Sequence, residues 1–133
     1  MSRRARQRCV RALCAAAAAL ALAACTETPR TATNFCRVLD AESPAIARRP
    51  TTQGEVRDLI DRYERLLEVA PLEIEEPLTT VVDALRAAAD ADGADPERVQ
   101  AAIDAAYRSE SDALTFTTWV LRTCGADLAG VFG

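Results

Sequence analysis

From Asn34 onward the apolar residues of this chain recur at spacings of three and four, never in strict alternation, so helices are the only regular structure it can build. The clearest case runs from Thr52 to Leu67. Thr52 and Glu55 stand at the spacing of a capping box. Val56, Leu59, Ile60, Tyr63, Leu66 and Leu67 then fall on one stripe about 120° wide at 100° per residue. Charged residues fill the rest. Asp58 with Arg62 and Asp61 with Arg65 stand at the favourable i,i+4 spacing. Ala70-Pro71 ends this helix.

The same reasoning places the other elements. Asn34 can cap a first helix reaching about Glu42, with Phe35, Val38 and Leu39 inward. Pro44 and Pro50 then bracket an irregular stretch containing Ile46. A third helix starts at Pro71 or Pro77 and turns Leu78, Val81, Val82, Leu85 and Ala89 inward, with Gly93 in its C-terminal cap region. Asp95-Pro96-Glu97 offers an N-cap, a proline at the first helical position and an acid in the first turn. It opens a fourth helix lined by Val99, Ala102, Ile103, Ala106 and Tyr107. Ser111 can cap a last helix ending at Cys124, with Gly125 as a left-handed cap. Its apolar residues Ala113, Leu114, Phe116, Trp119, Val120, Leu121 and Cys124 cover about 220° of arc at 100° per residue. That width predicts a helix running through the middle of the bundle. The expected fold is all-α, a single four- to five-helix bundle over residues 34–133.

The chain's first residues read differently. Arg3, Arg4, Arg6, Arg8 and Arg11 form a basic segment, and an apolar run follows from Ala12 to Ala24. Such a run has the length of a signal h-region and is too short to span a bilayer as a mature helix. It ends in Leu22-Ala23-Ala24-Cys25, which looks like a bacterial lipobox: small residues suit a narrow peptidase cleft, and the Cys25 thiol takes the diacylglyceryl group. Residues 1–24 are therefore expected to be a cleaved lipoprotein signal peptide. Residues 25–33 are the lipidated cysteine and a short tether, reaching roughly 25 Å when extended. Two acyl chains anchor stably where one is marginal. Ser2-Arg3-Arg4 invites a twin-arginine reading, but Ala5-Arg6-Gln7-Arg8 lacks the apolar residues usual after such a pair, which favours the general secretory route. The expected address is the outer face of the cytoplasmic membrane.

Charge and cysteines narrow the rest. All sixteen basic residues are arginine, and there is no histidine. Without the first 24 residues eleven arginines face twenty acids, a net charge of −9. That sign disfavours nucleic acid as a partner and an anionic leaflet as a surface, leaving the lipid as the only membrane contact. The missing histidine removes the commonest general base and metal ligand. Once Cys9 and Cys14 leave with the signal and Cys25 is acylated, Cys36 and Cys124 remain in an oxidising compartment. One disulfide between them is the economical reading, two buried free thiols the alternative.

With its lipobox, the early Cys36, the helix break Ala70-Pro71-Leu72-Glu73-Ile74 and the ending Trp119…Cys124-Gly125-Ala126-Asp127-Leu128, the chain resembles a group of small secreted or lipid-anchored helical proteins of actinomycetes. Pro77 departs from the smoother helix usual after such a break. The resemblance implies a fold and an address, and no reaction.

Residues that could carry chemistry have plainer readings. Asp90-Ala91-Asp92-Gly93-Ala94-Asp95 places glycine fourth rather than sixth, and Ala101 stands where a calcium loop needs glutamate. Glu73, Glu75 and Glu76 suit a helix N-terminus. Ser43, Ser109 and Ser111 lack a nucleophile-elbow context and a base. Trp119 and Phe116 could line an apolar pocket but stand at core spacing. No catalytic residue, metal or cofactor is expected. The first expectation is a non-enzymatic interaction module with an envelope protein partner; the alternative is a carrier or receptor for a small apolar ligand between helices. A continuous apolar cavity would favour the carrier, and a packed core with one exposed apolar patch the interaction module.

Overall fold

The computed structural model describes residues 28–91 and 93–128, and these form four helices without a strand: α1 Ala32–Ile46, α2 Gln53–Glu68, α3 Leu72–Asp90 and α4 Pro96–Cys124. The signal segment 1–24, Cys25, Asp92 and residues 129–133 lie outside the described residues. No described helix is long and apolar enough to cross a membrane.

The first helix differs from expectation at both ends. Thr31, not Asn34, is the N-cap, its hydroxyl accepting from the Asn34 N–H at 3.2 Å. The Asn34 amide instead donates back to the Pro29 carbonyl. At the other end the helix runs through Pro44 to Ile46. Pro44 removes one backbone donor, yet the extra turn carries Ile46 into the core, where it is 2% exposed. Burying one such side chain stabilises by about 1.5–3 kcal/mol, which offsets a hydrogen bond worth about 1 kcal/mol net.

The second helix follows its pattern closely. Both halves of the Thr52–Glu55 capping box are present, and Ile60, Tyr63 and Leu66 are buried. Its ion pairs do not follow. Arg62 and Arg65 both reach across to Glu42 of α1, Arg65 at 3.0 Å, instead of pairing with Asp58 and Asp61 along their own helix. Glu42 is half-screened by the packed helices, where one carboxylate gripped by two guanidiniums interacts more strongly than an exposed i,i+4 pair.

The start of the third helix resolves to Leu72, with Pro71 in the N-cap position and Pro77 inside the helix. Its Ile74, Leu78, Val81 and Val82 are buried. Asp95 caps α4 by accepting from the N–H groups of Glu97 and Arg98. Helix α4 then runs unbroken for 29 residues, so the expected fourth and fifth helices are one. Nothing between Arg98 and Cys124 is Gly or Pro, and a helix once nucleated propagates through serine. Ser111 is an interior residue whose carbonyl accepts from the Thr115 hydroxyl. Gly125 ends α4 in the left-handed conformation, φ 70°, with its N–H on the Leu121 carbonyl.

The core lies where α1 and α2 meet α3 and the C-terminal half of α4. Phe35 stands edge-on to both Phe116 and Trp119, with centroids 6.3 and 5.5 Å apart. Leu39, Leu66, Leu78, Val82 and Val120 close around them. Burial holds the Tyr63 phenol well above its ordinary pKa. Cys36 and Cys124 are bonded, their Cα atoms 5.3 Å apart, which joins the first helix to the end of the last.

Candidate docking surface

Joining the last two helices fixes one phase for the whole of α4 and sends part of its apolar set outward. Phe116 and Val120 face the core, and Ser109 is buried on the same side. Ile103, Tyr107, Leu114 and Leu121 are 43, 75, 67 and 50% exposed. The expectation that Tyr107, Ile103, Leu114 and Leu121 pack inward, and that α4 runs through the middle of the bundle, is thus corrected. The 220° apolar arc belongs to one helix, but only its inner part meets neighbours, and Leu114 and Leu121 on its outer part are exposed.

The outward residues are not scattered. At 100° per residue Ile103, Tyr107, Leu114 and Leu121 fall within about 40° of arc. Beside them α3 contributes Val81, Leu85 and Ala88, and the two helices enclose an open groove of about 800 Å³. The small side chains of Ala84 and Ala88 on α3 and of Ala106 and Ala113 on α4 leave that space open. Val81, only 3% exposed, packs on the groove side rather than in the main core. Glu110 is the charged residue of the lining.

The residues singled out for chemistry fall elsewhere. Phe116 belongs to the core, while Trp119 is partly buried against it and also lines a surface groove with Leu114 and Arg122, its indole N–H donating to Glu73 at 3.0 Å. Glu75 pairs with Arg30 at 2.9 Å, while Arg30 also donates to the Ala70 carbonyl at 2.8 Å. Two of the three glutamates at the start of α3 therefore tie other elements to it. Asp95 is occupied by its cap and by Arg98. The Ser43 and Ser109 hydroxyls donate to the carbonyls of Leu39 and Ala106 on their own helices. Among the described residues no three potential ligands gather as a metal site.

The perturbed carboxylates are structural as well. Glu42 is held below the usual carboxylate range, first by the Arg65 hydrogen bond, which outweighs burial, and then by Arg62. Glu55 is lowered by the N–H and hydroxyl of Thr51 and the N–H of Thr52. Neither lines the apolar groove between α3 and α4. An aliphatic and aromatic lining with one carboxylate can bind apolar side chains; it offers no paired groups poised for proton transfer.

The chain matches no known protein family, no curated protein and no solved structure.

Proposed function

We propose that this chain is a lipid-anchored lipoprotein of the cell envelope whose helical domain is a non-enzymatic protein-interaction module, docking through the α3–α4 groove. The lipobox at Cys25 and the basic and apolar segments before it support the address, together with the resemblance to actinomycete lipoproteins. The observation that carries the docking role is the alignment of Ile103, Tyr107 and Leu114, all substantially exposed, on one side of a groove otherwise walled by α3. Soluble monomers seldom leave aligned large apolar side chains in water without a partner for them. A carrier of a small apolar ligand would instead enclose its cargo, and this groove is open along its length.

The test is photocross-linking in cells through a photoreactive phenylalanine placed at Tyr107. A polypeptide adduct is expected, and Leu114→Arg should remove it. Leu114 is 67% exposed, so the substitution leaves the fold intact. Absence of any polypeptide adduct at Tyr107, or an adduct indifferent to Leu114→Arg, would overturn the reading.

A further inference from the structure

Among the described residues, four of the five large apolar side chains left in water lie on α4, at positions 103, 107, 114 and 121. Filling in the register gives Ile103, Tyr107, Glu110, Leu114, Thr117 and Leu121, spaced alternately by four and three. That is the seam of a helix built to pair with another helix. It spans 19 residues, about 27 Å from first to last at 1.5 Å per residue. Tyr107, Leu114 and Leu121 repeat at seven, and the drift of about 20° per heptad keeps them on one line.

We infer that the partner of this seam is a second copy of the chain, paired antiparallel along α4 so that the two α3–α4 hairpins form a four-helix bundle. The inference rests on the docking role proposed above and names its occupant. Two observations carry it. The first is charge. Asp104 and Arg122 lie on the same flank of the seam, about 100° from its centre at 100° per residue. Neither has an ion-pair partner among the described residues; Asp104 accepts only the Gln100 amide, at 2.8 Å. Rotating one copy by a two-fold axis through the middle of the seam sets Ile103 against Leu121 of the other and Leu114 against Glu110. The same rotation brings Asp104 of each copy within about 3 Å, measured along the axis, of the level of the other's Arg122. Two symmetric ion pairs result, as an isologous interface requires. Parallel pairing would put Asp104 and Arg122 of the two copies on opposite flanks, where neither meets a partner, and would set Glu110 beside Glu110 near the centre of the seam.

The second observation is size. The seam is about 27 Å long, and a helix pair with axes 8–10 Å apart presents a face roughly 18–20 Å wide. Each copy therefore covers about 500 Å², and the pair about 1,000 Å², the lower limit for a specific interface. Glu110 within the seam weakens it further. Such an interface is modest in dilute solution, and shared anchoring in one membrane raises the effective concentration that fills it.

The experiment uses the full-length protein in its membrane. Ser111→Cys places one thiol close to the proposed two-fold axis, and Thr118→Cys places one a full two turns away; both residues are exposed on the same flank. A short bismaleimide should dimerise the Ser111→Cys protein and not the Thr118→Cys protein. In the Ser111→Cys background, Asp104→Arg or Arg122→Asp alone should lower the cross-linked fraction roughly three- to tenfold at low salt, and the two together should restore it. Glu110→Leu should raise it. Dimers from the Thr118→Cys protein as well would contradict the antiparallel register and overturn the inference. Ser111→Cys monomers alongside a persistent Tyr107 adduct to a different polypeptide would overturn the second copy while leaving the docking role in place. With no adduct of either kind, both readings fail.

Discussion

Replacing Cys36 and Cys124 together by alanine removes the one covalent tie between the ends of the fold. The bond closes a loop of 88 residues. The chain-entropy relation gives its removal a cost of about 4–5 kcal/mol at 25 °C, and a domain of this size converts that into roughly 20–35 °C of melting temperature. The structure also says where the loss should appear. Cys36 is the fifth residue of α1, so while the bond holds, α1 cannot leave the bundle without dragging the end of α4. Without it α1, the first of the described helices, is held by Phe35, Leu39 and Ile46, by the Glu42 clasp and by Arg30 on the segment before it. Terminal segments open locally at a fraction of the global free energy. Native-state hydrogen exchange should therefore show α1 amides losing protection by about a thousandfold, the equivalent of 4–5 kcal/mol. Amides at the centre of α3, around Val81 and Val82, should fall less. A stability loss under about 1 kcal/mol, well below the entropic figure, would refute the loop argument. Equal loss of protection in α1 and α3 would refute the placement of the weakness.

Three further outcomes are expected. Cys25→Ser should abolish incorporation of a labelled lipid precursor, and label retained in that variant would remove the anchor. Because the folded Glu42 carboxyl is depressed below its ordinary 4.5, its contribution to stability is present above that value and is lost as pH falls through the folded pKa. Glu42→Gln should lower stability by about 1 kcal/mol at pH 7, and flatten this part of the acid limb in urea titrations at successive pH values. Asp95→Ala should cost about 1 kcal/mol through the lost cap, and millimolar calcium should leave the melting temperature of the unsubstituted protein unchanged. A saturable rise that Asp95→Ala removes would mean that the carboxylate binds metal as well as capping α4.

Most of the helices were legible because their signals are local. The Thr52–Glu55 box, the Asp95-Pro96 start and the Gly125 stop each depend on a few neighbouring residues whose hydrogen bonds are fixed by spacing alone. The pairing of Cys36 with Cys124 was legible from counting. What escaped was decided by longer-range effects. Pro44 and Pro77 look like breaks until the burial gained beyond them is weighed. Arg62 and Arg65 looked matched within α2 because the sequence does not reveal that Glu42 comes across from α1. The outward apolar row of α4 turns on one local signal instead. Ser111 reads as a cap, and a break there resets the helical phase, so Tyr107 and Leu114 seem free to turn inward separately. Uninterrupted, α4 cannot satisfy both faces, and the seven-residue spacing of Tyr107, Leu114 and Leu121 was the signal available.

Arg30 has a consequence for how far the domain can roam. Its guanidinium is fastened to the Ala70 carbonyl and to Glu75 at the start of α3, so the leash ends there and not at the first residue of α1. Were Cys25 held at the bilayer surface by the proposed lipid, four residues would lie between it and that fastening, at most about 18 Å of extended chain. An object with a long axis of about 43 Å, the length of the 29-residue α4, cannot swing freely on so short a cord. With the proposed lipid on Cys25 the domain would be held near the surface by one corner, and its collisions would be with neighbours at the same height above the bilayer.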